Sequence, residues 1–105
     1  MNVPDTRPIR AFLAASHESL AREVADFAAR ELATRAPAED DGAARREARE
    51  ILALTGAAGW FAHIEAQDLR ACCLIREALA AASPLADAVF ALQALGTLPI
   101  LVAGN

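Results

Sequence analysis

The stretch that most constrains the fold of this chain is its last one, residues 83–105, which reads SPLADAVFALQALGTLPILVAGN. It carries no charged side chain after Asp87. Ser83 followed by Pro84 predicts a helix start, because a serine oxygen accepts from the free amides of a first turn and proline has no amide to leave free. A segment this apolar is expected to be buried against other parts of the protein. A chain of 105 residues has few other segments that could bury it.

Two residues interrupt this apolar run. Gly96 and Pro99 predict that the helix from Pro84 ends near Leu95 and that a separate short piece follows over 98–103. The uncharged run is about as long as the shortest membrane spans, but a turn in its middle favours two buried helical pieces over a span. No membrane-spanning segment is therefore predicted.

The remaining composition indicates one small helical domain. Alanine, a strong helix former of low volume, supplies much of the apolar content, and no stretch concentrates the β-branched and aromatic residues that strands prefer. We predict an all-α fold, a small orthogonal or up-down bundle of four to five helices. Residues 1–15 are predicted as a lead-in and 16–105 as the domain, truncated at its C-terminal end.

Charge and cysteine content exclude several classes of function. The net charge is −4, and arginines alternate with acids, which argues against nucleic-acid binding. Cys72 and Cys73 are adjacent, so a disulfide between them would be strained, and two cysteines are too few for a zinc site. Both cysteines are predicted to be buried in the protein core, and the protein is predicted to lie in a reducing compartment. Residues 1–10 hold no apolar signal core, and the predicted location is cytoplasmic.

Hydrophobic spacing places three helices before the last one. The first begins at Ser16 as cap and ends before Pro37. Its apolar residues recur at spacings of three and four: Leu20, Val24, Phe27, Ala28 and Leu32. Three acid-to-base pairs four residues apart are predicted on its outer face: Glu18–Arg22, Asp26–Arg30 and Glu31–Arg35.

The second helix is predicted over 43–55, capped by Asp40 or Asp41. Its inner residues are Ala44, Ala48, Ile51, Leu52 and Thr55. A short apolar segment around Trp60, here called the plug, follows the second helix. Trp60 is expected to be mostly buried. The third helix, Leu69–Ala82 with Asp68 as cap, is apolar over more than half its circumference: Leu69, Cys72, Cys73, Ile75 and Leu79. Such a helix is expected to lie between neighbours.

A search for catalytic residues finds no self-sufficient set. His17 is expected to be exposed at a helix start, and His63 lies in the plug after Trp60. Neither has partners at metal-ligand spacing. No glycine-rich phosphate loop and no nucleophile-elbow serine is present.

The order of several segments does resemble a known family. They are FAAREL (27–32), LALTGAAGW (52–60), DLRA (68–71), REALA (76–80), SPLAD (83–87) and LGTLPILVAGN (95–105). Their order and spacing resemble the N-terminal helical domain of the acyl-CoA dehydrogenases from about Phe12 onward. The loop 61–67 departs from the family pattern, because it lacks the glycine pair that members carry there.

The resemblance implies part of a flavoenzyme that oxidises the two carbons next to an acyl-CoA thioester carbonyl. In the family, FAD takes the hydride, a glutamate takes the proton, and electrons pass to an electron-transfer flavoprotein. The flavin-binding β-domain, the catalytic glutamate and the C-terminal bundle have no counterpart in this sequence. FAD is therefore implied by the family but not expected to bind stably here, and the remaining dehydrogenase domains are implied partners.

The resemblance also implies an acyl-CoA site. The helix before the Leu-Gly turn lines the acyl-chain cavity in the family, and the matching positions are Ala88, Ala91, Leu92 and Leu95. The alternative is that this face packs against another helix. Self-association through the 85–102 face is expected in either case, and a free-standing helical interaction module without flavin remains the alternative function.

Overall fold

A computed structural model describes residues 2–104 and contains helices but no strand in that range. A 3-10 helix over Arg7–Phe12 precedes five α-helices, whose bounds are α1 Ala15–Glu31, α2 Asp41–Ala57, α3 Ala62–Glu65, α4 Leu69–Ala82 and α5 Pro84–Ala103. The all-α prediction is confirmed, with six helical elements instead of four to five because short pieces form at Arg7–Phe12 and Ala62–Glu65.

Three helices begin at the polar caps that the sequence predicts. In each, the cap side chain accepts a hydrogen bond from the backbone N–H three residues later, which satisfies one free donor of the first turn. The pairs are Asp40 with Ala43 (2.7 Å), Asp68 with Ala71 (3.0 Å) and Ser83 with Ala86 (3.2 Å).

The start of α1 differs from the prediction. Ser16 is not the cap, because the helix begins one residue earlier and Ala14 occupies the cap position. Here the side chain of the third helical residue reaches back, and Nδ1 of His17 accepts from the Ala14 N–H at 3.0 Å. This is the reciprocal half of a capping box, in which the third residue satisfies the cap's own amide.

The core is centred on α1 and α4, which make the most extensive helix pair. The five apolar residues predicted for the inner face of α1 are all buried: Leu20, Val24, Phe27, Ala28 and Leu32. From α4 come Ala71, Cys72, Leu74, Ile75, Ala78 and Leu79. Trp60, 8% exposed, sets its ring edge-on to Phe27 with centroids 5.7 Å apart, so its predicted burial is confirmed.

Three residues predicted to face inward do not. Leu52 and Leu69 are 37% and 60% exposed, and Cys73 is also exposed, because α2 and the start of α4 have neighbours on fewer sides than their apolar residues suggest. Both cysteines are free thiols. Burial raises the pKa of the Cys72 thiol, and the nearby charges of Asp68 and Cys73 raise it further.

Of the three predicted ion pairs along α1, the Asp26–Arg30 pair forms, at 3.0 Å. The other two give way to partners from outside the helix: Glu18 accepts from Thr6 at 3.1 Å and pairs with Arg10 at 3.4 Å, and Arg35 pairs with Glu50 at 3.1 Å. Residues predicted as a lead-in thus contact α1. Arg70 holds the same segment from α4 by donating to the Phe12 carbonyl at 2.8 Å.

The predicted break in the last helix is wrong, because α5 runs without interruption through Gly96 and Pro99. Pro99 has no N–H to donate within the helix, and the half-buried Leu98 packs against the core just before it. The protein measures 42 × 38 × 21 Å. Since a helix with its side chains is about 10–12 Å across, the short dimension holds two layers of helices. Every helix therefore has an outer side.

Candidate functional site

The four positions implied as an acyl-chain site lie toward the outer side of α5. Ala88 is exposed, Leu92 and Leu95 are 64% and 70% exposed, and Ala91 is half-buried. Spacings of three and four put them on neighbouring lines of one helix face. The opposite side holds Phe90, which is fully buried in the core. The structure therefore brings the four together, and their role in an acyl-chain cavity stays a prediction.

The exposed apolar surface continues beyond them toward the end of the helix. We use the name outer stripe for Ala88, Leu92, Leu95, Pro99 and Val102, all of which are exposed. Their spacings are four, three, four and three residues. No charged side chain occurs in residues 88–104, and Asp87 is held by Arg76 of α4 at 2.8 Å. The outer stripe is thus a narrow apolar surface, and the charged residue of α5, Asp87, lies outside it.

One cavity borders α5, but it does not coincide with this face. A cavity of about 280 Å³ lies where the α1–α2 connection meets the α4–α5 junction, and Leu32, Pro37 and Leu85 are among its lining residues. That is the opposite end of α5 from Leu95. The outer stripe is exposed, so an acyl chain lying there needs a second wall from outside the described residues.

The length and composition of α5 also meet the requirements of a membrane span. Only 11% of its most apolar window is buried. α5 is continuous through Gly96, so no turn divides the apolar run into two short pieces. The packing of Ala86 and Phe90 inside the core remains as evidence that α5 belongs to the globular domain.

His17 is buried, with 4% of its side chain exposed, so the prediction of an exposed histidine is wrong. Its Nδ1 accepts from the Ala14 N–H, which leaves the ring proton on Nε2. Nε2 then donates to the Asp68 carboxylate, at 2.9 and 3.1 Å from the two oxygens. One side chain therefore joins the start of α1 to the start of α4.

The Asp68 carboxylate is at once a helix cap and an acceptor for His17. Partial burial opposes its charged form, but hydrogen bonds from the Ala71 N–H and from His17, together with the charge of Arg70, outweigh that penalty. The net effect is a lowered pKa, and Asp68 is an anion at neutral pH. It stabilises the α1–α4 contact in its ionised form.

This cluster does not have the geometry of a catalytic site. Ser16, Ser19, His63 and Asp68 border the same cleft, but neither ring nitrogen of His17 is free to activate a serine hydroxyl. His63 instead stacks on Trp60, with ring centroids 6.3 Å apart. Within residues 2–104, no group of three or more histidine, cysteine or acidic side chains could hold a metal ion.

Sequence reasoning missed the His17–Asp68 link. Asp68 was identifiable as a cap, and a polar residue at the third position of α1 is a capping signal in itself. Nothing local, however, joins two residues so far apart in sequence.

Comparison with family models, with curated proteins and with solved structures finds no match to this chain. The family assignment therefore rests on the quoted residues alone.

Proposed function

We propose that this chain is the N-terminal helical domain of an FAD-dependent acyl-CoA dehydrogenase. In this role, α5 contributes one wall of the acyl-chain pocket and a packing surface for the flavin-bearing domain, and the chain is not catalytic alone. The observation that carries the proposal is the exposure of Leu92 and Leu95, at 64% and 70%, on an uncharged helix face. A bundle of the acyl-CoA dehydrogenase type and a cytoplasmic location belong to the same proposal.

The side chains on this face suit a saturated hydrocarbon chain. Ala88 and Ala91 are small, and Leu92 and Leu95 beside them are exposed aliphatic side chains. An alkyl chain gains free energy in proportion to the apolar area removed from water and needs no hydrogen-bonding partner along its length. The uncharged segment 88–104 satisfies that requirement.

The same residues do not fit the flavin. FAD presents ring nitrogens, carbonyl oxygens and a diphosphate, which proteins hold with backbone amides of glycine-rich loops, helix N-termini and polar or cationic side chains. Between Asp87 and the end of α5, the polar side chains are those of Gln93 and Thr97, and there is no cationic side chain. FAD would therefore be held by domains outside this chain, and we assign no flavin-dependent step to its residues.

The proposal is tested by titrating octanoyl-CoA into the purified chain and following leucine methyl signals by NMR, with free coenzyme A as the parallel titration. We expect octanoyl-CoA to shift the Leu92 and Leu95 methyls and free coenzyme A to leave them in place. The variant Leu92→Ser should weaken binding about tenfold, because a leucine side chain contributes roughly 1.5 kcal/mol or more when it is buried.

Leu69→Ser is the matched control. Leu69 is 60% exposed, close to Leu92, but it lies at the start of α4, away from the implied site. Its replacement should leave the affinity for octanoyl-CoA unchanged. Equal shifts with free coenzyme A, or equal weakening by both variants, would contradict an acyl-chain site on α5.

A free-standing helical interaction module is the second candidate. The regular spacing of the outer stripe favours it, because alternating steps of three and four residues are the pattern of a helix that packs along another helix. Under this alternative, octanoyl-CoA produces no selective shift of the Leu92 and Leu95 methyls, and the outer stripe serves only to pack against another helix.

A further inference from the structure

We propose that a second copy of this chain covers the outer stripe, with the two α5 helices packed side by side and antiparallel. In this arrangement Leu92 of each copy faces Leu95 of the other. The proposal does not depend on the dehydrogenase assignment, since it rests on the exposure and spacing of the outer stripe alone.

Pairing of the two helices removes a large apolar area from water. Leu92, Leu95 and Val102 are 64%, 70% and 72% exposed, and Ala88 and Pro99 lie exposed between them. Covering this stripe on both copies removes on the order of 1,000 Å² in total, which is the size at which a specific protein interface becomes credible.

The stripe is also complementary to itself when one helix is reversed. When two helices pack antiparallel, the a positions of one heptad pattern face the d positions of the other. Aligning Leu92 with Leu95 of the other copy creates two identical central layers. The same register places small Ala88 against Pro99, and half-buried Leu85 against Val102 at the ends. Antiparallel helix dipoles also attract each other.

The absence of charge on this part of the helix also favours pairing with a second copy. Residues 88–104 carry no charge, so the central part of the interface buries no unpaired ion and creates no repulsion between like charges. A partner that recognises charge would find no charged group in this segment. A second copy offers the same uncharged surface.

A lipid bilayer suits α5 less well than a second copy. Phe90 and Ala86 are 0% and 1% exposed, so the inner side of the helix is already part of the protein core. The helix α2 packs on α5 and carries exposed Arg45 and Arg49. Inserting α5 would strip it from this core or bring those arginines into the membrane, and both are costly.

Sedimentation velocity over a range of protein concentrations tests the pairing. We expect a monomer–dimer equilibrium, and Leu92→Glu should raise the dissociation constant by about 100-fold or more, because pairing would bury an unpaired carboxylate. Leu69→Glu places the same charge at a similarly exposed leucine on α4 and should leave the dissociation constant unchanged. Circular dichroism checks that each variant keeps its helices.

The orientation is tested with a nitroxide at Val102→Cys in a Cys73→Ser background, which removes the exposed native thiol. The proposed register separates the two labelled backbone positions by about 26 Å along the axis, from the helical rise per residue. A dipolar electron-resonance distance of that order supports the proposal, whereas one below about 15 Å indicates parallel helices and overturns it.

Two further results would overturn the pairing itself. One is a monomer at every concentration. The other is a monomer that floats with uncharged phosphatidylcholine vesicles and loses this property in Leu92→Glu, because lipid would then be the occupant of the stripe.

Discussion

The helices α4 and α5 are neighbours in sequence, separated by Ser83 alone, yet they are buried to very different degrees. In α4, six of fourteen residues are buried, whereas the longer and more apolar α5 has only Ala86 and Phe90 buried among twenty. α4 lies between α1 and α5 and also contacts α3, while α5 has all its neighbours on one side. Each of the two helices contacts three others, so apolar composition sets what a helix can bury, and the arrangement of its neighbours around it sets what it does bury.

The largest expected effect tests this difference inside one helix. Phe90→Ala should lower the free energy of unfolding by about 3–5 kcal/mol, because it empties a fully buried site, whereas Leu92→Ala should change it by about 0.5 kcal/mol or less. Urea denaturation followed by circular dichroism measures both. A large loss from Leu92→Ala in the monomer would mean that the outer side of α5 is covered after all.

The start of α4 offers a pH-dependent test. Asp68→Asn should cost about 1–2 kcal/mol at pH 7, because the partly exposed carboxylate loses its charge-assisted hydrogen bonds. The pKa of Asp68 is lowered in the folded protein, so its stabilisation is present above the unfolded pKa of about 3.9 and is lost as pH falls through the folded value.

The difference between the wild type and Asp68→Asn should therefore shrink below about pH 4. Asp26→Asn is the control, because Asp26 lies in an exposed pair on α1 and contributes little. A difference that stays constant down to pH 2 would show that the Asp68 charge does not stabilise the fold.

The junction between the two helices gives a smaller effect. Ser83→Ala removes the side-chain cap of α5 and should cost about 1 kcal/mol in urea denaturation. Ser16→Ala is the matched control: it lies within the first turn of α1 and forms no cap bond, so its replacement should cost less. Equal losses would contradict the assignment of Ala14 as the cap of α1.

The smallest effect concerns the ion pair that links α4 to α5. Arg76 donates to both oxygens of Asp87, at 2.8 and 3.1 Å, and this contact raises the pKa of Arg76. The pair is partly exposed, so a double-mutant cycle with Arg76→Ala and Asp87→Ala should give a coupling of about 0.5–1 kcal/mol that weakens in salt. No coupling would mean that packing alone holds the two helices together.

Several of these features could be predicted from the sequence. The caps Asp40, Asp68 and Ser83 were predictable because a cap acts on amides three residues away. The buried side of α1 was predictable because a single apolar stripe is unambiguous. The continuity of α5 through Gly96 and Pro99 was not, since tertiary packing overrides a local break signal. The candidate residues Ala88, Ala91, Leu92 and Leu95 were placed on one face by spacing, but their exposure depends on which neighbours α5 has.

The pattern of helix contacts has a consequence for the order in which the nascent chain can fold. The extensive partner of α1 is α4, and the extensive partner of α2 is α5; α1 and α2 do not pack extensively on each other. As the chain leaves the ribosome, both early helices emerge before their partners exist. The apolar side of α1 therefore stays uncovered until α4 is available, and this early segment exposes the kind of surface that favours aggregation during synthesis.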